Sequence, residues 1–214
     1  MKDIPMFTTE FGIASLILKE IPYKEEAYIR LQATEQPLEL LAESVAFCRA
    51  CGAEKIYATG SDALTQYPLH TEILQMQCAL PMPETDAALF PVLPETLENW
   101  RSIYNERMKD VANASHMTQK DAKAMLEAGD GYFVHKDGQL LGIGKASGSK
   151  IEAVVSVIPG AGRDVVLALS SLLSGDCASV DVAGTNQRAI RLYEKLGFLT
   201  TKILSQWYHV FPNG

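Results

Sequence analysis

The sequence predicts an α+β protein of three layers, with a mixed, largely antiparallel sheet flanked by helices. Three observations carry that prediction. Short runs rich in β-branched and aromatic residues are interleaved with stretches of helical periodicity along the whole chain. A hairpin is encoded at Lys136-Asp137-Gly138, between two apolar runs. An amphipathic helix at about 185–197, stopped by Gly197, comes directly after a short apolar strand.

Taken in order, residues 11–19 and 25–32 read as two strands joined by a turn at Ile21-Pro22-Tyr23. A helix comes next, with Leu38, Leu41, Val45 and Cys48 at helical spacing, Pro37 in the first turn and Gly52 at the end. EKIYATG and TEILQMQCAL are two further strands, so the first unit reads β-β-α-β-β. Four prolines between about 81 and 94 mark a boundary, and the domains are expected at 1–84 and 85–214.

The second unit opens with a strand in ALFPVL and a helix at 95–112, whose Leu97, Trp100, Ile103, Tyr104, Met108 and Val111 share a face. A helix at about 118–128 is capped by Thr118 and ended by Gly129. The hairpin DGYFVHKDGQLLGIGKAS comes next, then a strand, KIEAVVSVI, running into Gly160-Ala161-Gly162. A helix at about 163–174, the strand SVDVAG, the helix at 185–197 and a last strand or two complete β-α-α-β-β-β-α-β-α-β. The first unit's order resembles the second half of this one without its last helix, a hint of a duplicated fold.

Composition narrows the function classes. The chain has 214 residues, 47% of them hydrophobic, which suffices for a sizeable core. A net charge of −7 argues against a nucleic-acid partner, which calls for a basic face. No run approaches a membrane span, and MKDIPMFTTEF lacks the apolar stretch of a signal peptide. Cys48 and Cys51 form a C-x-x-C, but at the wrong end of a helix for a redox pair and without the second pair of a zinc site. Ordinary reduced thiols and a cytoplasmic location are expected. His70, His116, His135 and His209 show no ligand spacing, so no metal is expected; His116 lies in a loop, 113–118, between two helices.

Four places carry chemistry. Gly160, Ala161 and Gly162 let a ligand approach the backbone at a helix start, where unpaired N–H groups favour a phosphate and Arg163 adds a cation; a plain strand-to-helix turn uses the same residues. Thr185 or Asn186 can cap the helix that follows. Tyr193, on the apolar stripe, is either a packed aromatic or a proton donor, since a phenol with a pKa near 10 keeps its proton at neutral pH. Glu152, near the start of its strand, is a candidate base or a solvent-facing carboxylate.

The string VDVAGTNQRAIRLYEKLGF, residues 180–198, closely resembles the C-terminal motif of the GNAT acetyltransferases, and the element order is similar from about 87 to 214. The resemblance implies an acyl-CoA N-acyltransferase fold, use of acetyl-CoA as co-substrate, and direct transfer of its acetyl group to an amine. It implies that acetyl-CoA lies between two splayed parallel strands, about 151–158 and 178–183, with its pyrophosphate at Gly160, Ala161, Gly162 and Arg163. Val155 and Val157 would offer backbone groups to the pantetheine, Asn186 would touch the pantetheine or phosphate end, Tyr193 would protonate the CoA thiolate, and Glu152 would act as base. His116 lies in the loop that lines the acceptor side in such enzymes. The chain departs from the family where Val157 stands in place of an Arg or Gln and Pro159, which has no N–H, precedes Gly160. The first unit would be a non-catalytic half that completes the sheet, covers the acceptor cleft or makes a homodimer contact. The partner expected is a small-molecule or peptide amine acceptor. A degenerate domain that binds CoA or another ligand without catalysis is the alternative, and a purely structural role in a complex the third.

Overall fold

Apolar side chains in the computed structural model, which describes residues 5–210, collect into separate cores. They belong to two units: residues through Ile73 together with those from Ile203 onward, and Leu74–Lys202.

The first unit contains β1 (Met6–Thr9), β2 (Gly12–Ile17), a single helical turn α1 (Ile21–Lys24), β3 (Glu26–Ala33), α2 (Pro37–Ala50), β4 (Lys55–Thr59) and a 3₁₀ turn (Asp62–Gln66). β1, β2 and β3 pair antiparallel, and α2 then carries the chain over to β4, which pairs parallel with β3. The C-terminal part of β11 (Leu199–His209) adds beside β4, through Tyr208 and His209. Pro37 starts α2 where its missing N–H costs nothing, and Leu40, Leu41, Val45 and Cys48 bury one stripe against Ala14, Leu16, Ile29, Leu31 and Ile56. The expected helix and strands are present; β1, α1 and the 3₁₀ turn are additional. Cys48 sits inside this core, where burial pushes its thiol up to about 12, while Cys51 is exposed, and both are free. That is the behaviour of a packed thiol rather than of a redox nucleophile.

β5 (Leu69–Ala79) begins in the first unit and ends in the second. The second unit continues with β6 (Ala88–Pro91), α3 (Leu97–Met108), α4 (Gln119–Ala128), β7 (Gly131–Lys136), β8 (Gln139–Ser147), β9 (Lys150–Ser156), α5 (Gly162–Ser170), β10 (Cys177–Ala183) and α6 (Gln187–Lys195) before β11. This is the order expected from the sequence. Its strands run β5-β10-β9-β8-β7-β6. One face is covered by α5 and α6, with Val165, Val166, Leu169, Ile190 and Tyr193 packed on Met76, Ile151, Val180 and Phe198. Trp100 of α3 and Met125 of α4 pack on Phe133, Ile143 and Val155, and the Trp100 indole N–H donates to the Tyr132 carbonyl at 3.0 Å.

Local chemistry explains the boundaries. Thr118 and Asp121 form a capping box on α4, and Gly129 ends it in the left-handed region. Asp137 and Gly138, both at positive φ, turn the β7–β8 hairpin. The proline-rich segment is not the linker that places a boundary at 84/85. Leu80, Met82 and Ala87 pack on the α5–α6 core, and the Thr85 hydroxyl donates to Asp164 Oδ1 at 2.9 Å. Prolines there shape a covering strap, and the chain divides at Ile73/Leu74 instead. Among the described residues no helix is long and apolar enough to cross a membrane.

Candidate active site

A cleft in the second unit opens where two parallel strands part. β8 and β9 pair along the length of β9, but β10 meets β9 only at Lys150↔Ser179 and Ile151↔Val180. Beyond Ile151 the β10 side of β9 is open. The ladder fixes which backbone groups face that opening. The Val157 N–H donates to the Leu141 carbonyl at 2.9 Å, so Val155, two residues back and opposite Ile143, is also bonded to β8. The alternation directs the N–H and C=O groups of Val154 and Ser156 the other way, into the cleft.

The cleft holds about 370 Å³ and is lined by Val154, Val155 and Ser156 of β9, Gly160 and Gly162 at the start of α5, Arg107, Met108 and Val111 from α3 and the residues after it, and Asn186, Arg188, Ala189, Leu192 and Tyr193 of α6. Its turn is short. Ala161 N–H closes onto the Ile158 carbonyl at 3.2 Å around Pro159-Gly160, with Gly160 at φ 87° as a type II turn requires. α5 starts at once, with no side-chain cap, so the first-turn N–H groups of Gly162, Arg163 and Asp164 have no partner within the helix. Gly160 has open space around it; Gly162 does not, because a Cβ there would come within 2.9 Å of Leu192 Cδ2. That second glycine therefore sets how closely α5 approaches α6.

Asn186 caps α6, accepting from the Ala189 N–H at 3.2 Å, and its place on the cleft wall leaves both expected uses open. Tyr193 is 7% exposed and its ring packs 5.6 Å from that of Phe198. Burial pushes its phenol up to about 12, and no described residue hydrogen-bonds its hydroxyl. A polar group held in an apolar wall without a protein partner is available to a ligand. The cations at the cleft are Arg107, whose Nη2 donates to the Val157 carbonyl at 3.3 Å, and Arg188.

Several solved structures share the fold of this chain. A GCN5-related N-acetyltransferase from Sphaerobacter thermophilus is similar with a TM-score of 0.59 and 11% identity, over 92% of this chain and 76% of that one. A tandem GNAT protein from the clavulanic acid biosynthesis pathway is similar with a TM-score of 0.54 and 13% identity, over 95% and 80%. This chain has the GNAT fold. A conserved protein of unknown function from Staphylococcus epidermidis shares it as well, with a TM-score of 0.59 and 11% identity over 97% and 93%. No family model matches the sequence, and no curated protein does.

Within the GNAT fold the expected site residues fall into two groups. Gly160, Gly162, Asn186, Tyr193 and Val155 come together on the cleft. The structure places the backbone groups of Val155 and Val157, the Ala161 N–H and Arg163 differently from that expectation. Val155 contributes its side chain, and Val157 spends its N–H on Leu141, so the open backbone edge is displaced by one residue to Val154 and Ser156. Ala161 spends its N–H on the turn. Arg163 is exposed and lies off the cleft wall.

Glu152 also stands apart. Its Oε2 takes the Lys145 ammonium at 2.5 Å and its Oε1 the Ser147 hydroxyl at 2.8 Å, while Lys145 reaches Asp130 at 3.2 Å. Burial alone would raise the Glu152 pKa, but these partners hold it below the ordinary carboxylate value, which makes it a poorer base. His116 stands 3.3 Å from the Asn105 side-chain nitrogen, in a loop that Asn105 pins through both the N–H and the C=O of Met117. Sequence reasoning misses Arg107, Arg188, Ser156 and Val154. Helical spacing makes Ala189 accessible, one turn before Tyr193, and puts Arg188 one turn before Leu192 on the neighbouring row of α6.

Proposed function

We propose that the protein is a GNAT-type N-acetyltransferase that moves the acetyl group of acetyl-CoA to a primary amine. The observation that carries this reading is the opening between β9 and β10 beside Tyr193, a buried phenol whose hydroxyl has no hydrogen-bond partner among the described residues. The open Val154 and Ser156 backbone groups suit the amides of a pantetheine arm, which would pair with β9 as an added strand does. The α5 start, with Arg107 and Arg188, suits the phosphates, two guanidinium groups offsetting the N–H donors that a short, proline-containing turn lacks.

The transfer itself needs few groups. The amine nitrogen attacks the thioester carbonyl carbon, a C–N bond forms and the C–S bond breaks. Tyr193 gives its proton to the departing thiolate, for which a phenol kept protonated by burial is suited, and regains one from solvent. The surplus proton on nitrogen leaves to water. Four free thiols accord with a reducing, cytoplasmic compartment. The short turn and the absence of an Arg or Gln at Val157 favour one other reading, a domain that binds CoA without turnover.

Calorimetric titration with acetyl-CoA and with CoA, and then an acetyl-transfer assay, separates these. Micromolar binding that weakens at least tenfold in Arg188→Glu, with transfer to an amine, supports the enzyme. Binding without transfer to any amine supports the second reading, and no binding at millimolar donor overturns both.

A further inference from the structure

We infer that Asn105 is a positioning residue: through Met117 it holds the loop at 109–116 against the cleft and so keeps water from the bound thioester. This rests on the acetyl-transfer reading above and adds to it what guards the donor before an amine arrives.

The loop begins in the cleft wall. Met108 ends α3, the half-buried Val111 follows it, and both line the opening that holds Tyr193. Met108 and Val155 also belong to the core under α3 and α4, so the cleft and that core share side chains. The Val111 N–H donates to the Met108 carbonyl and the Ala114 N–H to the Val111 carbonyl, each at 3.1 Å, which ties Val111 to the turns on either side of it. Two features oppose the bend this loop makes. Asn113 stands at φ 58°, and its Oδ1 is buried with no hydrogen-bond partner among the described residues. A loop that carries both needs a fastening elsewhere.

Asn105 is that fastening. Its Oδ1 accepts the Met117 N–H at 2.8 Å and its Nδ2 donates to the Met117 carbonyl at 3.0 Å, as a neighbouring strand would. A backbone N–H can only donate and a carbonyl only accept, so the orientation of the amide is fixed. The second Nδ2 hydrogen serves His116 Nε2, 3.3 Å away, which accepts it and leaves the ring proton on Nδ1. The Arg101 guanidinium reaches the same Met117 carbonyl only at 3.4 Å and pairs with Glu98 at 2.6 Å. One amide of α3 thus closes the loop back onto the helix it leaves. Released, the loop takes Val111 off the wall and admits water. The water oxygen attacks the thioester carbonyl carbon, a C–O bond forms and the C–S bond breaks. Tyr193 protonates the departing sulfur and regains a proton from solvent, and the products are the CoA thiol, acetate and a proton released to solvent.

The test needs no amine. Thiol release from acetyl-CoA is followed in wild type, Asn105→Ala and Asn105→Asp, with donor affinity from calorimetry and amide exchange read at Met117. Asn105→Ala should speed Met117 exchange at least about tenfold, raise thiol release at least about fivefold and keep donor affinity within about threefold. Asn105→Asp keeps the bond from the Met117 N–H but sets a second oxygen against the carbonyl, and should act in the same direction. Gly60→Ala, strained in the first unit at φ 104°, should leave thiol release at the wild-type rate, which separates loss of the loop from loss of stability. Faster Met117 exchange with wild-type thiol release would overturn the inference, as would an equal rise in Gly60→Ala. Should neither Asn105 variant fold, wild type decides: the Val111 and Ala114 amides must slow at least about fivefold as acetyl-CoA binds, and no change there overturns it. Any of these failures with donor bound leaves the acetyl-transfer reading standing, while no binding at millimolar donor removes both.

Discussion

The two units each contain a hairpin leading into a helical crossover to a parallel strand, β2-β3-α2-β4 in the first and β8-β9-α5-β10 in the second. They differ at the parallel seam. β3 and β4 stay paired over five positions, from Glu26↔Lys55 to Arg30↔Thr59. Past that point Gly60 presses on β3 so closely that a Cβ would fall 2.2 Å from the Leu31 carbonyl oxygen. β9 and β10 pair at two positions and then separate. The elements after the two seams differ as well: a 3₁₀ turn after β4, and after β10 the helix that carries Tyr193. One supersecondary plan thus gives a closed sheet in one place and a binding cleft in the other. The cleft comes from the interrupted ladder, not from the crossover helix that both units have.

That comparison can be broken at several points. The largest effect is expected from Tyr193→Phe, which keeps the packed ring and removes the proton donor: kcat should fall about 10²- to 10³-fold, as for loss of a general acid, with acetyl-CoA affinity within about threefold of wild type. Equal losses in kcat and affinity would make Tyr193 a binding residue. Next come the two glycines at the seams. Gly60→Ala meets both a positive φ of 104° and the Leu31 carbonyl, and should cost about 3 kcal/mol, seen as a melting temperature lower by roughly 6–12 °C. Gly160→Ala meets only its φ of 87° in open space, and about 1 kcal/mol is expected. Similar losses at both would deny that the first seam is closed and the second open.

Smaller still, Arg107→Ala and Arg188→Ala should each weaken CoA about tenfold, the scale of one charge-assisted hydrogen bond at a wetted site, and less so at high salt. Dephospho-CoA and CoA titrations would show which arginine answers to which phosphate. The smallest effect concerns Glu152. Its folded pKa lies below the ordinary 4.5, so its pairing contributes stability above that value and loses it as pH falls through the lower folded one. Glu152→Gln should lower stability slightly at neutral pH and converge with wild type as pH falls below about 4.5, which flattens the acid limb of the stability-versus-pH curve.

Much of the fold is legible in the sequence because it is local. Thr118 with Asp121, Gly129, and the Asp137-Gly138 pair determine helix ends and a hairpin within a few residues of themselves. The element order of the second unit comes from such signals. β1 escapes a sequence reading because MFTT is a short edge strand that exists by pairing with β2. The prolines between 81 and 94 suggest a linker, since composition does not tell a strap packed on α5 from a chain crossing between domains.

At the site, residue types in the motif are legible and directions are not. Whether Val154 or Val155 turns its N–H to the cleft depends on the phase of the ladder with β8, set by the bond from Val157 to Leu141. Arg163 is adjacent in sequence, but the helix carries it out to solvent; Arg107 is some fifty residues away and arrives by the packing of α3. Glu152 occupies the right strand for a base, yet Lys145 on β8 claims it.

The most direct test of the open seam is amide hydrogen exchange at single-residue resolution, with and without acetyl-CoA. Val154 and Ser156 should exchange quickly in the free protein and slow by at least about tenfold when donor fills the gap, while Tyr28 to Leu31 on β3 stay unchanged. Protection at Val155 and Val157 alone, or no change on β9 with donor demonstrably bound, would contradict the account and move the donor out of the opening between β9 and β10.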